Sequence, residues 1–133
     1  MNGNEISAVR GKAGEDAVCD YLVDKGYKIL ARNYRRKCGE IDIIARDGDT
    51  AVFVEVKTRK YGAMDSGTGA MTKAKMRRII VTSEKYMYEH RELDLYRRFD
   101  TAYVTVTPEK YPRVLDIEYY KADFNAMSLE QRP

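Results

Sequence analysis

The chain has 133 residues, 44% hydrophobic and 34% charged, a balance that fits one globular domain with an ordinary core and excludes a disordered chain. No apolar run approaches the ~18 residues of a membrane span and no apolar leader is visible, so a cytoplasmic protein that avoids membranes is expected. The net charge of +3 hides an asymmetry: from Arg32 to Arg78, twelve Lys or Arg face six Asp or Glu, while the remainder is acidic by three.

A basic middle is what a phosphate-bearing polymer would meet, although many basic stretches are only solvated faces. Cys19 and Cys38 stand on different predicted elements without a CxxC or a nearby His, and read as reduced thiols.

In chain order, Ser7 to Lys25 reads as a helix. Ser7 would cap it, Gly26 would stop it, and Val9, Ala13, Ala17, Tyr21 and Leu22 recur at helical spacing. Gly11 and Gly14 fall inside, each costing ~1 kcal/mol relative to Ala. Glu15 follows them, off the obvious solvent stripe. Two readings stay open: a weak helix with an exposed Glu, or glycines that permit close packing or backbone access, with Glu15 aimed at a metal ion or its water.

Residues 27–36 form a short strand ending in a basic turn at Arg35, Arg36 and Lys37. The stretch from Gly39 to Arg59, GEIDIIARDGDTAVFVEVKTR, follows as two alternating runs about a DG turn, a strong hairpin signal. Asp42, Glu55 and Lys57 interrupt runs that would otherwise suit a buried sheet. With Arg46 and Ala51 flanking a four-residue loop, Asp42 opposes Glu55. With Arg46 and Asp49 flanking a two-residue loop, Asp42 opposes Phe53 and Glu55 is diagonal. Either way the carboxylates share a face, with Cβ atoms roughly 5 Å apart opposed or about 7–8 Å diagonal. Like charges that close need a bound cation or a proton. Oxygen donors without histidine suit Mg²⁺ or Mn²⁺.

Lys60 to Met71 is irregular and glycine-rich: either a mobile segment contacting substrate or a plain connection. Thr72 caps a second predicted helix running to about His90, with Met76, Ile79, Ile80, Ser83 and Met87 inward. Lys73, Lys75, Arg77 and Arg78 crowd its start, where the helix dipole favours anions. His90, the only histidine, falls among charges and is expected in solvent. Phe99 to Thr107 and Val114 to Tyr119 read as further strands, and the tail from Lys121 as aperiodic, fraying or forming a short helix. Asp100, beside Arg97 and Arg98, reads as a surface ion pair rather than a site residue.

Asp42-x₁₂-Glu55-Val56-Lys57, with Glu15 on a preceding helix, resembles the PD-(D/E)xK nuclease superfamily. More narrowly, Gly14-Glu15, Gly26-Tyr27, Arg32-Asn33, Gly39-Glu40-Ile41-Asp42-Ile43-Ile44, Val52-Phe53-Val54-Glu55-Val56-Lys57, Lys75 and Arg98-Phe99-Asp100 resemble the YraN family of small bacterial proteins related to archaeal Holliday junction resolvases. The resemblance implies an α/β domain over residues 1–133, core about 7–119 and tail 120–133. Its expected architecture is a restriction-endonuclease-like α-β-β-β-α-β core, a central mixed sheet flanked by helices. It implies a Mg²⁺-dependent endonuclease acting on branched or otherwise structured DNA in repair or recombination. Asp42, Glu55 and the Val56 carbonyl would hold the ion, Glu15 a metal-bound water or second ion, and Lys57 the attacking water or the developing charge. Arg32, Arg35, Arg36, Arg59, Lys60, Lys73, Lys75, Arg77 and Arg78 are the expected nucleic-acid contacts. Resolving a four-way junction would call for a homodimer. Two departures stand out: Ile41 replaces the name-giving proline, and Met76 stands where relatives often carry Gln. The alternatives are a binding module with little catalysis, or a scaffold in which the three charged residues form only a buried ion network.

Overall fold

The structure, a computed structural model, describes residues 2–63 and 71–129. Helix α1 (Gly3–Asp24) starts four residues before the expected Ser7. Asn2 explains this: its side chain accepts from the Glu5 amide at 2.9 Å and donates to the Glu5 carboxylate at 3.1 Å, a reciprocal cap that Ser7 has no need to supply. At the other end Gly26 takes φ +92°. Its amide reaches Val23 and that of Tyr27 reaches Leu22, both at 2.9 Å, closing the helix in a Schellman motif.

Strands β1 (Lys28–Arg36), β2 (Gly39–Asp47) and β3 (Thr50–Lys60) run antiparallel. After helix α2 (Lys73–Glu89), strand β4 (Tyr96–Val106) returns parallel to β3, and β5 (Val114–Phe124) closes the five-stranded mixed sheet in the order β1 to β5. This is an α/β core of the restriction-endonuclease-like kind expected. Thr72 caps α2 by accepting from the Lys75 amide at 3.1 Å. Most of the Lys60–Met71 segment lies outside the described residues.

Two hydrophobic layers hold the helices to the sheet. Val18 and Leu22 of α1 pack on Ile43, Val52, Val54 and Val104. Ile79, Ile80 and Tyr86 of α2 pack on Ile44, Phe53 and Phe99, with Phe124 closing the layer. Each fully buried large side chain contributes ~1.5–3 kcal/mol relative to exposure. The buried stripe of α1 is Gly14, Val18, Cys19 and Leu22: of the expected Val9, Ala13, Ala17, Tyr21 and Leu22, Leu22 is buried, Tyr21 packs part-buried against the layer, and Gly14 and Val18 replace their neighbours Ala13 and Ala17.

Glycine is the reason. A Cβ on Gly14 would lie 1.9 Å from Thr58 Oγ1 on β3, so α1 turns its smallest residue to the sheet there. Gly39 does the same for α2, where a Cβ would lie 2.7 Å from Thr82 Oγ1. Both helices are thereby drawn close beside the carboxylate strands.

Three further expectations change. Strand β5 runs five residues past Tyr119, to Phe124. Asp100 accounts for that extension: its carboxylate accepts from the Ala122 amide at 2.9 Å where Ala122 takes φ +52°, and the bulge keeps β5 paired to Phe124. Asp100 is itself fully buried rather than at the surface. It is gripped by Arg98 through two 3.0 Å bonds and by the Tyr119 hydroxyl at 2.6 Å. His90 is half-buried, its ring centroid 4.2 Å from that of Tyr86, and not in open solvent.

Candidate active site

The β2–β3 ladder follows the register in which Arg46 opposes Ala51, and runs one pair further, to Asp47 and Thr50. Gly48 and Asp49 form the turn, with Gly48 at φ +61°, the first central position that a type II′ turn reserves for glycine. Continued the other way, the same register opposes Asp42 to Glu55. Backbone pairing ends at Ile43 and Val54. Beyond it the Asp42 carboxylate accepts from the Val56 amide at 2.8 Å, so a side chain replaces a ladder bond where the strands separate.

Asp42 and Glu55 line one cavity of about 230 Å³ with Glu40 and, from α2, Lys75, Arg78 and Ile79. Glu55 is buried, and Lys75 Nζ lies 3.1 Å from its Oε2. Burial, then the neighbouring Glu55 carboxyl, pushes Asp42 up to about 9, against the opposing pull of the Val56 amide. Two carboxyls that close do not both hold a negative charge unaided. A proton on Asp42 and the ammonium of Lys75 share the task.

Lys57 joins this group through Lys75. Burial, then the hydrogen-bonding contact with Lys75 and its like charge, holds Lys57 below the ordinary lysine range. Burial also works against the charged form of Lys75, but Lys57 as hydrogen-bond partner and the charge of Glu55 raise it. Lys57 is therefore the member of the pair nearer to giving up its proton. Beside Glu55 in the parallel β3–β4 register stands Thr101, fully buried, its hydroxyl without a hydrogen-bond partner. That hydroxyl stands next to Glu55 in the register as an unused polar group.

Glu15 stands apart. It lines a separate cavity of about 590 Å³ with Ala8, Gly11, Lys12, Arg32 and Asn33, and lies 3.6 Å from Arg32. Burial raises its carboxyl, with the Asn33 hydrogen bond and the Arg32 charge opposing. Its charge nonetheless acts on Asp42. The two readings of the α1 glycines divide: Gly14 serves close packing, while nothing lies within 4 Å of a Cβ on Gly11, which leaves backbone open on the Glu15 cavity.

Among the described residues no three His, Cys, Asp or Glu side chains are grouped to hold a metal ion. The protein's own donors for one would be the carboxylates of Asp42 and Glu55 with the carbonyl of Val56, whose amide Asp42 already anchors. Oxygen donors only, two carboxyls that carry a proton between them, and an idle hydroxyl alongside fit a hard divalent cation.

Of the nine expected nucleic-acid contacts all but Lys75 are exposed, and four of the exposed ones are arginines in ion pairs. Arg32 pairs with Asp16 at 2.8 Å, Arg35 with Glu40 at 3.2 Å, Arg36 with Glu89 at 3.1 Å and Arg59 with Glu118 at 3.4 Å. Lys75 belongs to the carboxylate cluster itself. Lys60, Lys73, Arg77 and Arg78 are exposed, Arg78 at the mouth of the carboxylate cavity. Met76, beside Lys75 in sequence, turns into the apolar layer under α2.

Sequence reasoning placed Lys75 only among phosphate contacts and passed over Thr101 and Glu40. Thr101 is found only through the β3–β4 register, which connects residues far apart in the chain. No helix among the described residues is long and apolar enough to cross a membrane.

Residues 14–104 match the model of a family described as the uncharacterised protein family UPF0102. A UPF0102 protein of Syntrophus aciditrophicus (strain SB) is 45% identical over 103 residues, covering 74% of this chain and 78% of that protein. One from Caldicellulosiruptor saccharolyticus (strain ATCC 43494 / DSM 8903 / Tp8T 6331) is 37% identical over 124 residues, covering 93% of this chain and 100% of its own. A solved structure, Pyrococcus furiosus SfsA in complex with Ca²⁺, aligns at 15% identity and a TM-score of 0.36 over 86% of this chain. This chain spans 63% of that one.

Proposed function

This chain belongs to the uncharacterised protein family UPF0102, and we propose that it is a Mg²⁺-dependent endonuclease of the PD-(D/E)xK type, hydrolysing phosphodiester bonds in branched or otherwise structured DNA. The observation that carries this reading is the meeting of Asp42 and Glu55 in one cavity with Lys75 and Arg78 of α2. Two carboxyls held together in a half-buried, cation-rimmed recess are costly to a fold that does not use them.

When bound there, Mg²⁺ or Mn²⁺ would supply a Lewis acid for a phosphoryl oxygen and a water acidic enough to attack phosphorus. The chain's residues do the rest. Asp42 and Glu55, with the Val56 carbonyl, would hold the ion. Lys57 offsets charge growing on the phosphate or orients the attacking water, and burial beside Lys75, which holds its pKa below the ordinary lysine range, eases its giving up a proton. A compact ammonium suits that position, where guanidinium would favour a bidentate grip. Glu15, in its own cavity, reaches this site only through its charge on Asp42, and Arg78 and Arg77 hold the strand. A junction cut symmetrically takes two such sites, so a C2 homodimer is part of the proposal.

A second reading, a nucleic-acid-binding module with little catalysis, draws on two observations. Lys75 already neutralises Glu55, and Met76, which cannot contact a phosphate through hydrogen bonds, faces the core. The two readings separate when the purified protein is incubated with labelled branched, duplex and single-stranded DNA in Mg²⁺, Mn²⁺ or EDTA. Metal-dependent cleavage supports the nuclease. Binding without cleavage in either metal supports the module.

A further inference from the structure

On the sheet face that carries Glu55 and Lys57, α2 lies over β2, and among the described residues no helix lies over the far end of β4 and β5. There Arg59, Tyr103, Glu118, Tyr120 and Asp123 line an open cavity of about 320 Å³. The Tyr103 and Tyr120 rings meet edge to face, centroids 5.8 Å apart and planes at 80°, and the Arg59 guanidinium lies 5.6 Å from the Tyr103 centroid. Tyr103 is half-buried and Tyr120 is 45% exposed. Tyr120 is thus held by the sheet yet presented to solvent.

Position gives the group its meaning. Lys57 is the register partner of Tyr103 on the neighbouring strand, so the tyrosines begin one strand spacing, roughly 4.8 Å, from the proposed catalytic lysine. The rim chemistry names the occupant. Glu118 holds Arg59 at 3.4 Å and accepts from the Tyr120 hydroxyl at 2.9 Å; with Asp123 it makes the cavity unwelcoming to a phosphate. A nucleobase carries no charge, offers a flat face to the rings, and can donate its N–H groups to carboxylates.

We propose that Tyr103 and Tyr120, with Arg59, form a stacking site for one unpaired base of the strand whose backbone crosses the Asp42–Glu55 cavity. This rests on the nuclease reading and narrows its substrate: nucleic acid with a single-stranded segment beside the scissile phosphate, in preference to continuous duplex. Tyr120 supplies the exposed ring and Tyr103 sets its angle.

The test measures binding in EDTA, where cleavage plays no part. The full chain is titrated with a blunt duplex and with the same duplex carrying a single-stranded tail that contains 2-aminopurine. Tighter binding of the tailed duplex, with a change in 2-aminopurine emission, is expected. Tyr120→Ala should weaken tailed-duplex binding by about tenfold and spare the blunt duplex, while Tyr120→Phe keeps the preference. Equal binding of both duplexes by the wild type, or equal weakening of both by Tyr120→Ala, overturns the stacking site and leaves the nuclease reading standing. Failure to bind any DNA form overturns both.

Discussion

Lys75 Nζ sits 3.1 Å from Glu55 Oε2, an ion pair between the start of α2 and the strand that carries the proposed metal ligand. In the absence of a metal it gives Glu55 the counter-charge that a divalent ion would otherwise provide. Lys75→Gln should therefore tighten Mg²⁺ binding by several-fold in calorimetric titration while weakening DNA binding. Weaker Mg²⁺ binding in this variant would show that Lys75 supports the ion instead of standing in for it.

Asp42 makes stability depend on pH in a direction unusual for a carboxylate. Its folded pKa is raised above the ordinary value of 3.8, so over the window between the two the native state holds a proton that the unfolded chain has released. Stability then falls as pH rises through that window. Urea unfolding of the metal-free protein should give a lower midpoint at pH 8.5 than at pH 6. Asp42→Asn, which has no proton to lose, should flatten that slope and gain most at the higher pH. A wild-type midpoint that rises from pH 6 to 8.5 would contradict the shared-proton account.

Gly14 and Gly11 should respond oppositely to alanine. At Gly14 the new methyl meets the β-branched Thr58 side chain at 1.9 Å, and overpacking of that kind costs ~1–3 kcal/mol. Gly11 has open space, so Gly11→Ala should stabilise α1 by up to ~1 kcal/mol through helix propensity. Thermal melts of the two variants check this. A stabilised Gly14→Ala would mean that α1 sits farther from β3 than described.

How much of this was legible in sequence depends on which residues had to be paired. The DG turn and the alternation around it fixed the hairpin and put Asp42 and Glu55 on one face, because period two and an even loop leave no other parity. Thr72 was legible as a cap because capping is local. The start of α1 was misplaced because Ser7 and Asn2 are equally good caps by type, and only the Asn2–Glu5 reciprocity decides between them. Asp100, the length of β5 and Thr101 were not legible, since each depends on partners across the β3–β4–β5 register. Lys75 reads in sequence only as a phosphate contact, because the descent of α2 onto Gly39 has no signature beyond the glycine.

Basic residues beside the carboxylate cavity and on the β1 edge should separate by salt dependence. Arg77→Ala or Arg78→Ala, removing exposed cations near the cavity, should each flatten the log–log dependence of DNA affinity on salt by about 0.9. Arg36, which pairs with Glu89 and lies 4.2 Å from the Tyr34 ring centroid, should change that slope little. A larger effect from Arg36→Ala would move the DNA path onto the β1 edge.

The most direct measurement is cleavage of labelled branched DNA in Mg²⁺ by the wild type, Asp42→Asn, Glu55→Gln and Lys57→Ala, with Mg²⁺ binding followed in parallel. Asp42→Asn and Glu55→Gln keep the side-chain shapes but remove a ligand charge. Both should lose Mg²⁺ affinity and all detectable cleavage, while metal-free DNA binding persists in Asp42→Asn, whose wild-type carboxyl is already protonated, and persists or tightens in Glu55→Gln as that carboxylate no longer repels phosphate. Lys57→Ala should retain the ion and cut more slowly, because Lys57 acts on the transition state. Full-rate cleavage by Asp42→Asn would contradict the assignment of this cavity as the nuclease site.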